Sequence, residues 1–263
     1  MEIFIFRLSK GTVGYVIEKT FGKKYFYFFK LKLMYLKFRA FRAINDLDSC
    51  LKFAQEHRNV LRDYGITNIT TNNESWMYNP NIYCVVALSN TDNKVLGGVR
   101  IEISDENNFL PVELAVGKMD AAIHDIVKNF RDNGGIGELC ALWNARAVAG
   151  IGLSMLLIRA GVAATSQLRI ATLISICADY TLKMFQRVGF IVDHSLGLNG
   201  EFPYPNEKYT ARVLGIMNAI KLDNTNEFDK KRIESLRENP QQICTEQGTN
   251  QEITIDYNLV ISE

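Results

Sequence analysis

Histidine is scarce in this chain of 263 residues. There are three, His57, His124 and His194, and no two share the spacing of metal ligands, so no metal site is expected. The five cysteines, Cys50, Cys84, Cys140, Cys177 and Cys244, include no CxxC pair. Scattered in this way, three of them in apolar runs, they read as buried free thiols and fit a cytoplasmic setting. No uncharged apolar run reaches ~18 residues, so no transmembrane helix is expected. A signal-peptide cleavage pattern and internal repeats are likewise missing.

The chain is 47% hydrophobic and 22% charged, the composition of one globular domain with room for appendages. Its net charge of +1 hides an asymmetry. Residues 1–45 hold ten Lys/Arg against Glu2 and Glu18, a net of +8, so the remainder carries −7. This divides the chain into a basic aromatic arm (1–37), a body (38–220) and an acidic C-terminal extension (221–263). For the arm three readings stand open: peripheral contact with an anionic membrane, a partner-binding or self-associating segment, or a helix packed on the body. No recognisable nucleic-acid module accompanies its basic residues, so nucleic acid is not expected as a partner. The protein is then cytoplasmic, or membrane-associated through the arm.

Along the body, 38–45 reads as a strand and 51–64 as an amphipathic helix ended by Gly65. Residues 68–80 are a polar loop. The runs 82–88 and 95–103 around Asn90-Thr-Asp-Asn-Lys form a β-hairpin, with Gly97 and Gly98 marking a bulge or a close approach. A helix spans about 118–132, strands fall at 168–176, 190–193 and 209–217, and a helix at 178–187. The extension adds a helix at 227–237 and an alternating strand from 252, which either docks on the sheet or drapes over it. The fold class is mixed α/β.

At the centre lies Glu138-Leu-Cys-Ala-Leu-Trp-Asn-Ala-Arg-Ala-Val-Ala-Gly150-Ile-Gly152-Leu. A short apolar strand, a turn of small residues and an apolar helix follow one another. That order puts backbone N–H groups at a helix N-terminus, where they can hold a phosphate. A dinucleotide fingerprint needs a third glycine, and position 155 is Met.

The turn Ala147-Val-Ala-Gly150-Ile-Gly152 resembles the Gln/Arg-x-x-Gly-x-Gly/Ala turn of the GNAT (GCN5-related N-acetyltransferase) superfamily. Leu182-Lys-Met-Phe-Gln-Arg-Val-Gly-Phe190 resembles its Leu-Tyr-x-Lys-x-Gly-Phe segment. The chain departs from the pattern at Ala147, where a basic residue is usual and Arg146 stands one place earlier. It departs again at Phe185, where a tyrosine often serves as general acid. The resemblance covers about 38–220 and implies a mostly antiparallel GNAT-type sheet flanked by helices, carrying an arm and a tail. The Gly-Gly-Val-Arg strand and the long connection through Leu110-Pro-Val-Glu also look like acyl-homoserine-lactone and N-acyl-amino-acid synthases.

The resemblance implies acyl transfer from acetyl-CoA or another acyl-CoA to a small-molecule amine. The cofactor-binding residues it implies are Leu139, Cys140, Ala141, Leu142 and Trp143 along the pantetheine arm. To these it adds the amides of Val148, Ala149, Gly150, Ile151 and Gly152 at the pyrophosphate, and Phe185. The implied catalytic residues are Glu138 as base, with Glu113 second, and Tyr180 in place of the missing tyrosine; Glu138 reads equally as a solvated strand-end acid or a structural ion-pair partner. Cys140 is either an inert core thiol or a nucleophile. Two alternatives remain: an N-acyl-amino-acid or autoinducer-type synthase fed by acyl carrier protein, and a non-catalytic acyl-CoA-binding module.

Overall fold

A computed structural model describes residues 34–63, 65 and 74–262, and the backbone of three earlier strands. These are β1 (Ile3–Leu8), β2 (Thr12–Lys19) and β3 (Lys23–Lys30), which pair antiparallel as a sheet of their own. A helix was one reading of this arm; it is strand instead, as its aromatic and β-branched residues favour. Its side chains, and with them the expected membrane or partner contacts, lie outside the described residues.

The body is one ten-stranded sheet. Its strands are β4 (Met34–Arg42), β5 (Ile82–Ser89), β6 (Val95–Ile103), β7 (Ile136–Asn144), β8 (Thr172–Ala178), β9 (Ile191–Val192), β10 (Glu201–Pro203), β11 (Thr210–Ile216), β12 (Gln241–Gln247) and β13 (Glu252–Asn258). The spatial order is β10-β11-β8-β7-β6-β5-β4-β13-β12, with β9 also on β11. Only β7/β8 and β4/β13 run parallel. β4 begins at Met34, before the boundary expected at 38. Leu36, Phe38 and Ala40 alternate into the core, so the strand period continues across the composition change.

The helices are α1 (Leu47–Asp63), α2 (Pro111–Val116), α3 (Ala122–Asp132), α4 (Leu153–Ala164), α5 (Asp179–Arg187) and α6 (Glu227–Glu238). Asp46 caps α1 by accepting from the Ser49 N–H at 3.0 Å. Alternation along the central strands splits the core into layers. Val85, Val99, Ile101 and Leu139 pack with α4, while Cys84 and Val86 pack with Phe53 of α1. α4 is apolar nearly all round because it lies between the sheet and α6.

Gly98 explains how closely α1 approaches. A Cβ there would stand 2.5 Å from the Phe53 ring. Gly98→Ala is therefore expected to displace Phe53 and cost about 1–3 kcal/mol, read as a lowered urea midpoint at unchanged m-value.

The C-terminal extension docks on the sheet. β13 joins β4 and β12 returns along it, a strand the sequence reading left unassigned. Buried charges fasten the extension to α4. Arg159 donates to Asp229 of α6 at 2.6 Å and reaches Glu246 of β12 at 3.3 Å. Arg187 also pairs with Asp229, and Arg232 and the Tyr257 hydroxyl with Glu246. Arg159, Asp229 and Glu246 are all buried.

Candidate active site

β7 and β8 are hydrogen-bonded only over Ile136–Glu138 and Thr172–Ile174. Beyond Glu138 the strands part, and the Ser175 hydroxyl donates to the Leu139 carbonyl at 2.7 Å. At the same place β7 bulges. Arg100 faces Cys140 and Gly98 faces Trp143, so Val99 opposes both Ala141 and Leu142, and Ala141 takes φ +47°. The extra residue inverts the alternation beyond it. Trp143 thus joins Glu138 and Cys140 on the α1 side, where its ring meets Phe53 edge-on at 5.7 Å.

A cavity of about 190 Å³ occupies the gap. It brings together most of the strand residues expected to line a pantetheine arm, Leu139, Cys140, Ala141 and Leu142, with Glu138, Tyr180 and Phe185. Trp143 does not line it. Tyr180 is exposed at the first turn of α5, whereas Phe185 is buried against Phe190 at 5.1 Å. Both border the same space although they lie on different turns of the helix.

The gap opens toward the carboxyl ends of two parallel strands, where α/β sheets receive ligands. The glycine turn lies at that end. Val148 and Ala149 donate their N–H groups to Ala145 and Arg146, closing a short 3-10 turn, so they are engaged within the chain. Val148 is also buried in the core. Gly150, Ile151 and Gly152 donate no hydrogen bond among the described residues. Gly150 (φ +79°) has open space where a Cβ would stand, and Gly152 (φ +92°) caps α4. Three unengaged amides at a helix N-terminus suit an anion.

Glu138 is fully buried. Its Oε2 accepts from the Val112 N–H at 2.7 Å, and its Oε1 has no hydrogen-bond partner. Burial pushes its carboxyl well above the usual range, and the neighbouring Glu102 adds to this. Glu113 caps its own helix by accepting from the Leu110 N–H at 2.8 Å, and meets His124 Nδ1 at 2.9 Å. It faces a separate cavity on the α3 side.

An ion pair missed in the sequence lies beside Glu138. Arg100 pairs with Glu102, stacks over Trp76 at 4.4 Å, and is 2% exposed. Cys140 Sγ donates to Glu102 Oε1 at 3.3 Å, with Arg100 at 3.9 Å. Burial first, then Glu102, pushes the thiol up, so it stays protonated. Burial opposes the charge of Arg100, but Glu102 together with the thiols of Cys140 and Cys84 outweighs it and holds the guanidinium above its ordinary value. His57 borders the gap and is driven down to about 3 by burial, Arg100 and Arg58, so it is neutral. A signal for the pair was present: Arg100 and Glu102 sit two apart in an otherwise apolar strand, and hence on one face.

Arg100 and Glu102 also floor a second cavity of about 290 Å³, walled by Trp76, Asn79, Asn107 and Phe109. The Cys140–Glu102 contact joins residues of the two cavities. Among the described residues no group of side chains could hold a metal ion. No helix among them is long and apolar enough to cross a membrane.

No protein-family model matches the sequence, and no curated protein matches it. Solved structures do. FeeM, an N-acyl amino acid synthase from uncultured soil microbes, aligns at TM-score 0.52 and 14% identity, over 71% of this chain and 98% of that one. The CoA-dependent acyl-homoserine lactone synthase BjaI aligns at TM-score 0.48 and 15% identity, over 76% and 90%. An acyl-CoA N-acyltransferase from Pseudomonas aeruginosa aligns at 0.47 and 12%, over 68% and 98%. At such identities the likeness is one of fold. The alignment with FeeM spans nearly the whole of that structure, and the chain has a GNAT-type fold.

Proposed function

We propose that this chain, built on that fold, is an acyl-CoA-dependent N-acyltransferase, moving an acetyl or longer acyl group to a small-molecule amine. One observation carries the reading. Two parallel strands part around a largely apolar cavity, and the end at which they part holds a glycine turn with unengaged amides. A pantetheine thioester has those two needs, an apolar slot and an anion cradle.

On this reading the amides of Gly150, Ile151 and Gly152 hold the pyrophosphate, aided by the dipole of α4. Leu139–Leu142 and Phe185 flank the pantetheine arm. Beyond Glu138 the edge of β7 that faces β8 is no longer paired with it, and there the backbone of β7 meets the arm's amides. The acceptor enters through the second cavity, and its amine reaches past Glu102 into the first, which Glu138 lines. Its nitrogen attacks the thioester carbonyl, the C–N bond forms, and the C–S bond breaks. Glu138 takes the amine proton through its unpartnered oxygen, and the Tyr180 hydroxyl protonates the departing thiolate. Alignment of amine and thioester supplies much of the rate.

A second reading, an N-acyl-amino-acid synthase fed by acyl carrier protein, is favoured by the floor of the second cavity. A guanidinium and a carboxylate side by side match the opposite charges of an amino acid.

Thermal denaturation tests the first reading. Acetyl-CoA at a hundredfold excess over its Kd stabilises by about 2.7 kcal/mol, a rise of roughly 5–10 °C, whereas free pantetheine at the same concentration gives a smaller shift. No shift with any acyl-CoA sinks the reading. Binding without thiol release, across a panel of amines and amino acids, identifies a non-catalytic module instead.

A further inference from the structure

The glycine turn is not held by its own segment alone. The turn of the β12–β13 hairpin rests on it, from almost a hundred residues further along the chain. Thr249 donates its N–H to the Ile151 carbonyl at 2.9 Å. A Cβ on Gly152 would stand 3.0 Å from both the nitrogen and the hydroxyl of Thr249. A Cβ on Gly248 would stand 2.4 Å from the Ile151 carbonyl and 2.8 Å from that of Gln251. The hairpin is anchored just before this contact, since Glu246 is bound by Arg159 of α4 and by Arg232.

We infer that Gly248 and Thr249 position the anion-binding turn by fixing the direction of the Gly152 N–H. This rests on the acyl-CoA reading above. The Ile151 carbonyl and the Gly152 N–H belong to one planar trans peptide, so they point in opposite directions. A donor that holds the carbonyl toward the hairpin therefore aims the N–H away from it. That peptide needs an outside anchor because Gly150 and Gly152, on either side of Ile151, both sit at positive φ. Glycine takes positive and negative φ with similar ease, so the turn on its own does not fix the peptide's orientation. Thr249 supplies the missing constraint, and Gly248 leaves the room for it.

Binding of CoA and of pantetheine, measured by calorimetry on the full chain, tests this. Pantetheine lacks the pyrophosphate and so does not use the turn. Gly248→Ala should weaken CoA at least about tenfold, the worth of one charge-assisted hydrogen bond, and leave pantetheine unchanged. Thr249→Pro, which removes the N–H, should do the same, while Thr249→Ala, which keeps it, should bind CoA like the parent chain. Should Gly248→Ala fail to fold, the two Thr249 variants decide. Parental CoA affinity in Thr249→Pro overturns the inference. So does an equal loss for CoA and pantetheine, the mark of general damage. Failure of the parent chain itself to bind CoA overturns the acyl-CoA reading instead.

Discussion

Glu138→Gln is expected to lower turnover with any accepted amine by about 10²–10⁴-fold while leaving CoA affinity unchanged. The amide keeps the shape of the side chain and can still accept from the Val112 N–H, but it cannot take a proton. The parent activity should rise with pH as the carboxyl ionises, because burial holds Glu138 well above the 4.5 of a free glutamate. Stability should move the other way. A carboxyl whose pKa is higher in the folded than in the unfolded chain contributes stability below the unfolded value, and that contribution is lost as pH rises through the folded one. The parent chain should therefore lose stability relative to Glu138→Gln as pH climbs from about 4.5. Paired thermal melts at pH 4 and pH 8 read this directly. Full activity in Glu138→Gln would remove Glu138 from the mechanism, and a constant difference in melting temperature would show that its carboxyl titrates alike in the folded and unfolded chains.

Asp229→Ala should produce the largest loss of stability, about 3–5 kcal/mol, or roughly 10 °C in melting temperature. Asp229 is fully buried and receives both Arg159 and Arg187. Its removal leaves the buried guanidinium of Arg159 with Glu246 alone, at 3.3 Å. Replacing both charges, Arg159→Met with Asp229→Leu, should cost less than Asp229→Ala alone, because no stranded charge remains. A double variant less stable than the single one would show that the ion pair itself, rather than the penalty for breaking it, holds α6 on α4.

Local patterns made the central segment legible. A strand of 138–143, two glycines and an apolar helix from 153 follow from periodicity and turn chemistry, and the hairpin of 82–103 from its alternation. The same reading ended the arm at 37 because Lys and aromatic residues run on to that point, whereas the strand alternation of Leu36, Phe38 and Ala40 crosses it. β12 escaped because Gln-Gln-Ile-Cys-Thr-Glu-Gln is an edge strand, exposed and polar, and carries little apolar signal. The site divides in the same way. Glu138 and the strand beside it were readable as neighbours in sequence. The contact of Cys140 with Glu102 depends on the β6/β7 register, and the placing of Trp143 depends on a one-residue bulge. The capture of the Val148 and Ala149 amides depends on a 3-10 turn. Hydrophobic periodicity reports none of these.

The parallel pairing of β13 with β4 joins residues 34–39 to 253–258, about 220 positions apart. During synthesis, β4 leaves the ribosome about 220 residues before β13 and pairs with β5, while its other edge waits for that later strand. At about 5–20 residues per second that wait lasts tens of seconds, far longer than hairpin formation. Through that interval the nascent chain presents an unpaired strand edge, open to neighbours and to chaperones. Completion of the sheet is therefore a late, long-range step, and closing so large a loop makes it slow relative to the local folding of the central β7-turn-α4 unit.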